Sequence, residues 1–169
     1  MIRFEYTKVF NLDGAIRGMR NSWESWDKSD SQWVDGQFVL GEADRKLALS
    51  LSKAGASHGK YLRQIFVSVD IIAPEYWWKE ADTYKVGTVA NSTSMMHTLG
   101  RRELTADDFS FDDPDNDLVR QYLTLINEAR TRWEQSGKKK PSSEWRLMNQ
   151  LMSIAYLYRR TFTANYQVL

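Results

Sequence analysis

Residues 65–72 read IFVSVDII. Ile65, Val67, Val69 and Ile71 recur at every second position, so in an extended chain they share one face. A strand of this kind must bury that face against another layer, and the neighbouring segments supply helices. Pro74 opens PEYWWKEADTY and suits the first turn of a helix, where its missing N–H costs nothing. Upstream, EADRKLALSLSKA at 42–54 predicts a helix with Ala43, Leu47, Leu51 and Ala54 inward, and Gly55 suits its C-terminal cap. Ser57 is placed to cap a short helical turn from His58 to Gln64. The N-terminal run IRFEYTKVF favours a second strand by its β-branched and aromatic content. After it, Leu12, Ala15, Ile16, Met19, Trp23 and Trp26 fall on one helical face.

The C-terminal half reads as helical. A helix is predicted from about Asp117 to Gln135, with Leu118, Tyr122, Leu125, Ile126, Ala129 and Trp133 as its buried stripe. A last helix, EWRLMNQLMSIAYLY, would turn Leu147, Leu151, Ile154, Ala155 and Tyr158 inward. The polar residues from Asp27 to about Gly36 and the stretch RRELTADDFSFDDPDND read as surface loops. The expected class is α+β, dominated by helices, with a small antiparallel sheet. At 169 residues the chain has the length of one domain, 1–169.

Composition removes several classes of function. There is no cysteine, hence no disulfide framework and no thiolate metal site. The net charge of +1 creates no broad field for extended nucleic acid. No apolar run approaches the roughly 20 residues that span a bilayer, so a soluble, cytoplasmic protein is expected. The only two histidines, His58 and His97, lie in no HExxH or HxxxH spacing, and no metal site is expected. GxxxxGK[ST], GxGxxG and GxSxG are all absent, which removes the usual phosphate loops and the nucleophile elbow. Arg101-Arg102 and Lys138–Lys140 read as solvated faces. Arg159-Arg160 differ, because they follow Tyr156 and Tyr158, and arginine beside aromatic rings can grip a phosphate and stack on a base.

The segment from Phe66 to His97 resembles the flavin-dependent thymidylate synthases, whose signature is R-H-R-x-x-S-x-N-x-x-S-x-R. Laid without gaps, that signature falls on Tyr84-Lys85-Val86, Val89, Asn91, Ser94 and Met96, and Asn91 and Ser94 match. The family's F-x-F-E-I strand lands on residues 67–71, and its nucleotide-contacting Gln on Ala81. A T-x-N-x-R segment is echoed at Thr163-Ala164-Asn165-Tyr166-Gln167. The block YWWKEADTYKVGTVANSTSMMH also resembles uncharacterised proteins of phages and prophages of Gram-positive bacteria.

The resemblance implies a pocket between subunits of a homo-oligomer, a tetramer or dimer, near Trp77, Trp78 and Tyr84. Because Trp77 and Trp78 are adjacent, they point about 100° apart on a helix, so one would face a ligand and the other the core. Lys85, Asn91, Ser92, Thr93 and Ser94 would offer polar contacts, joined by Arg159 and Asn165. Tyr84, Val86, Met96 and Gln167 stand where the family carries arginines. Each lost charge-assisted bond costs about 1.5–3 kcal/mol. The expectation is therefore a nucleotide-like ligand, no bound FAD and no methylene transfer. Three functions remain open: a non-catalytic nucleotide-binding protein that sequesters a host nucleotide signal, a module that binds a host protein, and a divergent flavin- or nucleotide-dependent enzyme.

Overall fold

The computed structural model describes residues 2–169. In chain order the elements are β1 (Arg3–Phe10), α1 (Leu12–Met19), β2 (Gln32–Val34), β3 (Gln37–Val39), α2 (Glu42–Lys53), β4 (Phe66–Pro74), α3 (Glu75–Ala81), β5 (Thr88–Ser92), α4 (Met95–Thr98), α5 (Asp117–Gln135), α6 (Ser143–Gln150) and β6 (Leu157–Asn165). The class is α+β with a small antiparallel sheet, as the sequence pattern predicts. The four-stranded sheet has the order β1-β4-β6-β5, and β2-β3 is a separate antiparallel hairpin in which Trp33 faces Phe38. The chain divides into two compact units, one of residues 2–5, 70–85 and 91–161, the other of 6–69, 86–90 and 162–169.

The core of the first unit gathers Leu99, Leu104, Phe109, Ile126, Ala129, Trp133 and Met148, with Tyr122, Leu123 and Trp145 packed around them. Helix α5 forms where it is expected. Asn116 caps it by accepting from the Leu118 N–H, which satisfies one of the orphan donors of the first turn. Its inward stripe is narrower than the periodicity suggests: Leu118 and Leu125 are exposed, and Leu123 turns inward with Tyr122, Ile126, Ala129 and Trp133. The stretch 101–117 is not a plain surface loop. Leu104 and Phe109 are buried, Phe109 bridges to Tyr156, and the Ser110 N–H donates to the Ala155 carbonyl at 2.9 Å.

The expected last helix is too long by half. It stops at Gln150, and residues 157–165 form the interior strand β6. Ile154 and Leu147 are accordingly exposed rather than inward. The aromatic and β-branched content of LYRRTFTAN suits a pleated surface better than a helix, and sheet pairing decides the matter.

The second unit packs Ala15, Tyr61 and Ile65 with Leu12, Met19, Leu51 and Leu62. Helix α1 ends at Met19, so Trp23 and Trp26 leave its apolar face, and Trp23 is 87% exposed. Asn21 and Ser25 compete with helical hydrogen bonding here, and the Asn21 side chain accepts from Trp26 Nε1 at 3.0 Å. The expected loop 27–36 contains the start of the β2-β3 hairpin. Its turn is Asp35-Gly36, with φ of 47° and 75°, the Asp-Gly signal of a two-residue hairpin.

In α2 the inward residue of the first turn is Asp44, not Ala43. Asp44 is fully buried and accepts from Arg20 Nε at 2.6 Å, from Ser29 Oγ and Ser31 Oγ at 2.5 Å each, and from the Ser31 N–H at 3.2 Å. A charge becomes tolerable in the core when it is paired and its remaining lone pairs are filled.

Candidate functional site

In the first unit, β1, β4 and β6 bring three charged residues side by side. Arg159 on β6 reaches Glu5 of β1 with Nη2 at 2.8 Å and Asp70 of β4 with Nη1 at 3.0 Å. The Thr161 hydroxyl donates to the other Asp70 oxygen at 2.7 Å. Thr161 and Arg159 together hold the Asp70 carboxyl below its ordinary range. The guanidinium is thereby fixed in plane while its side chain stays 40% exposed. Each Nη is thus engaged by one carboxylate, and the remaining N–H groups of the guanidinium are what it can still offer an acceptor.

Beside Arg159 lies a crevice of about 260 Å³, lined by Arg3, Ile72, Thr93, Thr98, Arg102, Asp107, Asp108, Tyr156, Leu157 and Arg159. A second hollow of about 400 Å³ shares Thr98, Arg102 and Tyr156 with it and adds Gly100, Arg101 and Leu104. Arg102 is held by both oxygens of Asp108, one at 2.8 Å, and by the Glu103 carbonyl at 2.9 Å. Burial alone would raise the Asp108 carboxyl, but Arg102 and the Thr105 N–H outweigh it and hold the group down. Burial, with Asp108 adding to it, pushes the Tyr156 phenol up. Arg3 and Arg101 make no ion pair among the described residues. The crevice therefore offers the uncommitted Arg3 guanidinium, two guanidiniums fixed by carboxylates, the Thr93 hydroxyl and an aromatic ring, and Arg101 lines the neighbouring hollow.

The expected site residues separate. Trp78 is 1% exposed, its ring covered by the Arg160 guanidinium at 4.2 Å and its Nε1 donating to the Tyr158 carbonyl, so it serves the core. Trp77 packs edge-on against it and is half-buried. Arg160 is tied to Asp82 at 2.8 Å. Tyr84 is 70% exposed with its hydroxyl near Glu80, and Lys85, Asn91 and Ser92 are exposed. Ser94 is the residue before α4, and its carbonyl accepts from the His97 and Thr98 N–H groups. Of the expected residues, Arg159 and Thr93 line the crevice, and the Thr93 N–H donates to the Arg159 carbonyl at 2.9 Å. Asn165 belongs to the second unit, where its side chain accepts from the Gln167 and Val168 N–H groups in a turn.

Sequence reasoning overlooked Arg3 and Thr98 as lining residues, named Tyr156 only as an aromatic neighbour of Arg159, and read Arg102 as surface. Strand pairing brings Arg3 to the site, and that pairing leaves no local signal. Arg102 was visible as half of a basic pair, but its Asp108 partner is set by the turn at Thr105, where a capping box closes.

No protein-family model matches the chain, and no curated protein matches it. Solved structures do. Thymidylate synthase X from Helicobacter pylori, with FAD and dUMP, superposes with a TM-score of 0.70 at 16% identity over 99% of this chain and 79% of that one. The fold is that of the flavin-dependent thymidylate synthases. A UMP/dUMP methylase from Streptomyces cacaoi, bound with 5-Br dUMP, has the same architecture, with a TM-score of 0.63 at 13% identity over 99% and 73% of the two chains. At such identity the thymidylate-synthase-like likeness concerns the backbone course and not the site chemistry.

Proposed function

We propose that the chain binds a nucleoside monophosphate in the Arg3–Arg102–Arg159 crevice and performs no chemistry on it. The observation that carries this reading is the Arg159 fork, fixed by Glu5 and Asp70 beside the unpaired Arg3. Phosphate oxygens would take Arg3, Arg159 and the Thr93 hydroxyl, and Tyr156 would offer its ring to the base. No histidine lines the crevice; Asp108 is held charged by Arg102, and Tyr156 is held protonated by burial. The set thus favours holding a ligand over moving its protons. The solved structures of this fold contain dUMP or bromo-uridine nucleotides, which makes a pyrimidine monophosphate the first ligand to try.

Flavin plays no part in this reading. Tyr84, Val86 and Val89, which stand on the synthase signature, are largely exposed and uncharged, which leaves Lys85 as its one cation against a diphosphate. A protein that binds a nucleotide and returns it unchanged keeps it from other users, so sequestration is the corresponding role. Self-association belongs to the same proposal: β1 is an outer strand of the sheet and carries exposed Phe4, Tyr6, Val9 and Phe10.

Calorimetry with UMP, dUMP and uridine tests the binding claim. UMP should bind and uridine should bind at least about tenfold more weakly, because charge-assisted bonds contribute about 1.5–3 kcal/mol each. Equal affinity for the two would remove the phosphate from the account. Free UMP recovered unchanged after incubation, with and without added FAD, would support the absence of chemistry; a methylated product would overturn it.

A further inference from the structure

A second hollow, entirely within the second unit, has a different chemistry. It encloses about 250 Å³ and is lined by Trp26, Trp33 and Phe38, by Asp13, Arg17 and Arg20, and by Ser29 and Ser31. Trp33 and Phe38 are cross-strand partners in the β2-β3 hairpin and meet edge to face at 5.6 Å. The Arg17 guanidinium lies over Trp26 at 5.4 Å. The hollow is therefore an aromatic slot with polar groups at its floor and rim.

One nitrogen of Arg20 and the Asp13 carboxylate carry no hydrogen bond among the described residues. Arg20 is 95% buried (5% exposed), with Nε on Asp44 and Nη1 on the Ser25 carbonyl, while Nη2 donates to nothing among the described residues. The Asp13 carboxylate also accepts no hydrogen bond and forms no ion pair there. Arg20 lines the hollow, so its Nη2 is a donor open to an acceptor placed there. Asp13 and Arg20 are seven positions apart, which on a helix brings them back to the same face, about 10.5 Å apart along the axis. One planar molecule lying along α1 can reach both.

Charge and size narrow the occupant. The formal charges around the slot cancel, Arg17 and Arg20 against Asp13 and Asp44, so it favours a neutral ring over an anion. Its volume falls below the roughly 300–1,000 Å³ of pockets for larger ligands. We propose that this slot is a binding site for a purine lactam of the guanine type, stacked against Trp33 and Trp26. The ring would turn its O6/N7 acceptors to Arg20 Nη2 and its N1/N2 donors to Asp13, with the sugar left outside. Arginine matches the O6/N7 edge, and aromatic walls stack on any base. This site stands independently of the crevice around Arg159.

Guanosine, adenosine and uridine titrated into the full chain test it, read by tryptophan fluorescence and by calorimetry. Guanosine should bind, and adenosine, which presents a donor where Arg20 needs an acceptor, should bind at least about tenfold more weakly. W33A and D13N should each weaken guanosine at least about tenfold with the circular dichroism spectrum unchanged. R159Q, in the other unit, should bind guanosine like the parent. The proposal is overturned if guanosine fails to bind at millimolar concentration, if adenosine or uridine binds as well, or if both W33A and D13N keep parental affinity. Loss of guanosine binding in R159Q would also overturn it.

Discussion

Replacing Asp44 by Asn isolates the electrostatics of the second unit. The substitution keeps the shape but removes the charge opposite Arg20, which stays 95% buried (5% exposed). It also places an NH2 group among donors, since Arg20 Nε and the Ser29 and Ser31 hydroxyls all point at the carboxylate. Breaking a buried pair by removing one partner costs about 3–5 kcal/mol, because the other charge is left uncompensated. Total stabilities are about 5–15 kcal/mol, so the loss is about a fifth of the whole at the least. At roughly 2–4 °C per kcal/mol for a chain of this size, the midpoint should fall by about 6–20 °C. Urea unfolding and calorimetric scans measure both quantities. Replacing the pair together, R20M with D44L, should recover most of the loss, since apolar residues of similar volume need no partner. A cost under about 1 kcal/mol for D44N would refute the claim that Arg20 depends on this carboxylate. So would a double variant no better than D44N alone.

Acid should act through the same groups. Burial alone would raise Asp44, yet the two serine hydroxyls and Arg20 hold it below its ordinary value, and Thr161 with Arg159 does the same for Asp70. A carboxylate depressed in the folded state contributes stability above its unfolded pKa of about 3.9 and loses it as pH falls through the folded value. Stability should thus decline below about pH 4, less steeply in D44N, and a parallel decline in both proteins would contradict the assignment. Gly100 has φ of +89°, and a Cβ there would stand 2.6 Å from Trp133, so G100A should cost about 1–3 kcal/mol for the backbone alone, measured by urea unfolding. F109A should cost about 3–5 kcal/mol in the same assay, against near zero for a solvated loop residue, because Phe109 is buried among Phe111, Tyr122 and Tyr156.

Much of the scaffold was legible locally. Alternation in IFVSVDII, the polar caps and the stripe of α5 each follow from a few adjacent residues. What was not legible depended on distant partners. The helical period of EWRLMNQLMSIAYLY runs through Tyr158, and only pairing within the sheet makes 157–165 the strand β6. Asp44 looked outward because its partners, Arg20, Ser29 and Ser31, come from elsewhere in the chain. The synthase-like register at Asn91 and Ser94 pointed to the right fold, but neither residue lines the crevice, whose cations Arg3 and Arg102 lie outside the signature. Arg159 was singled out for standing beside tyrosines, and it is the residue around which the crevice is built.

The central claim is that a nucleotide phosphate sits on the Arg159 fork. Amide and guanidinium NMR shifts of the full chain, followed during a dUMP titration, test it most directly. The account predicts saturable shifts centred on Thr93, Thr98, Arg102 and the Arg159 side chain, abolished in R159Q. Absence of any shift at millimolar dUMP, or shifts of equal size in R159Q, would contradict it.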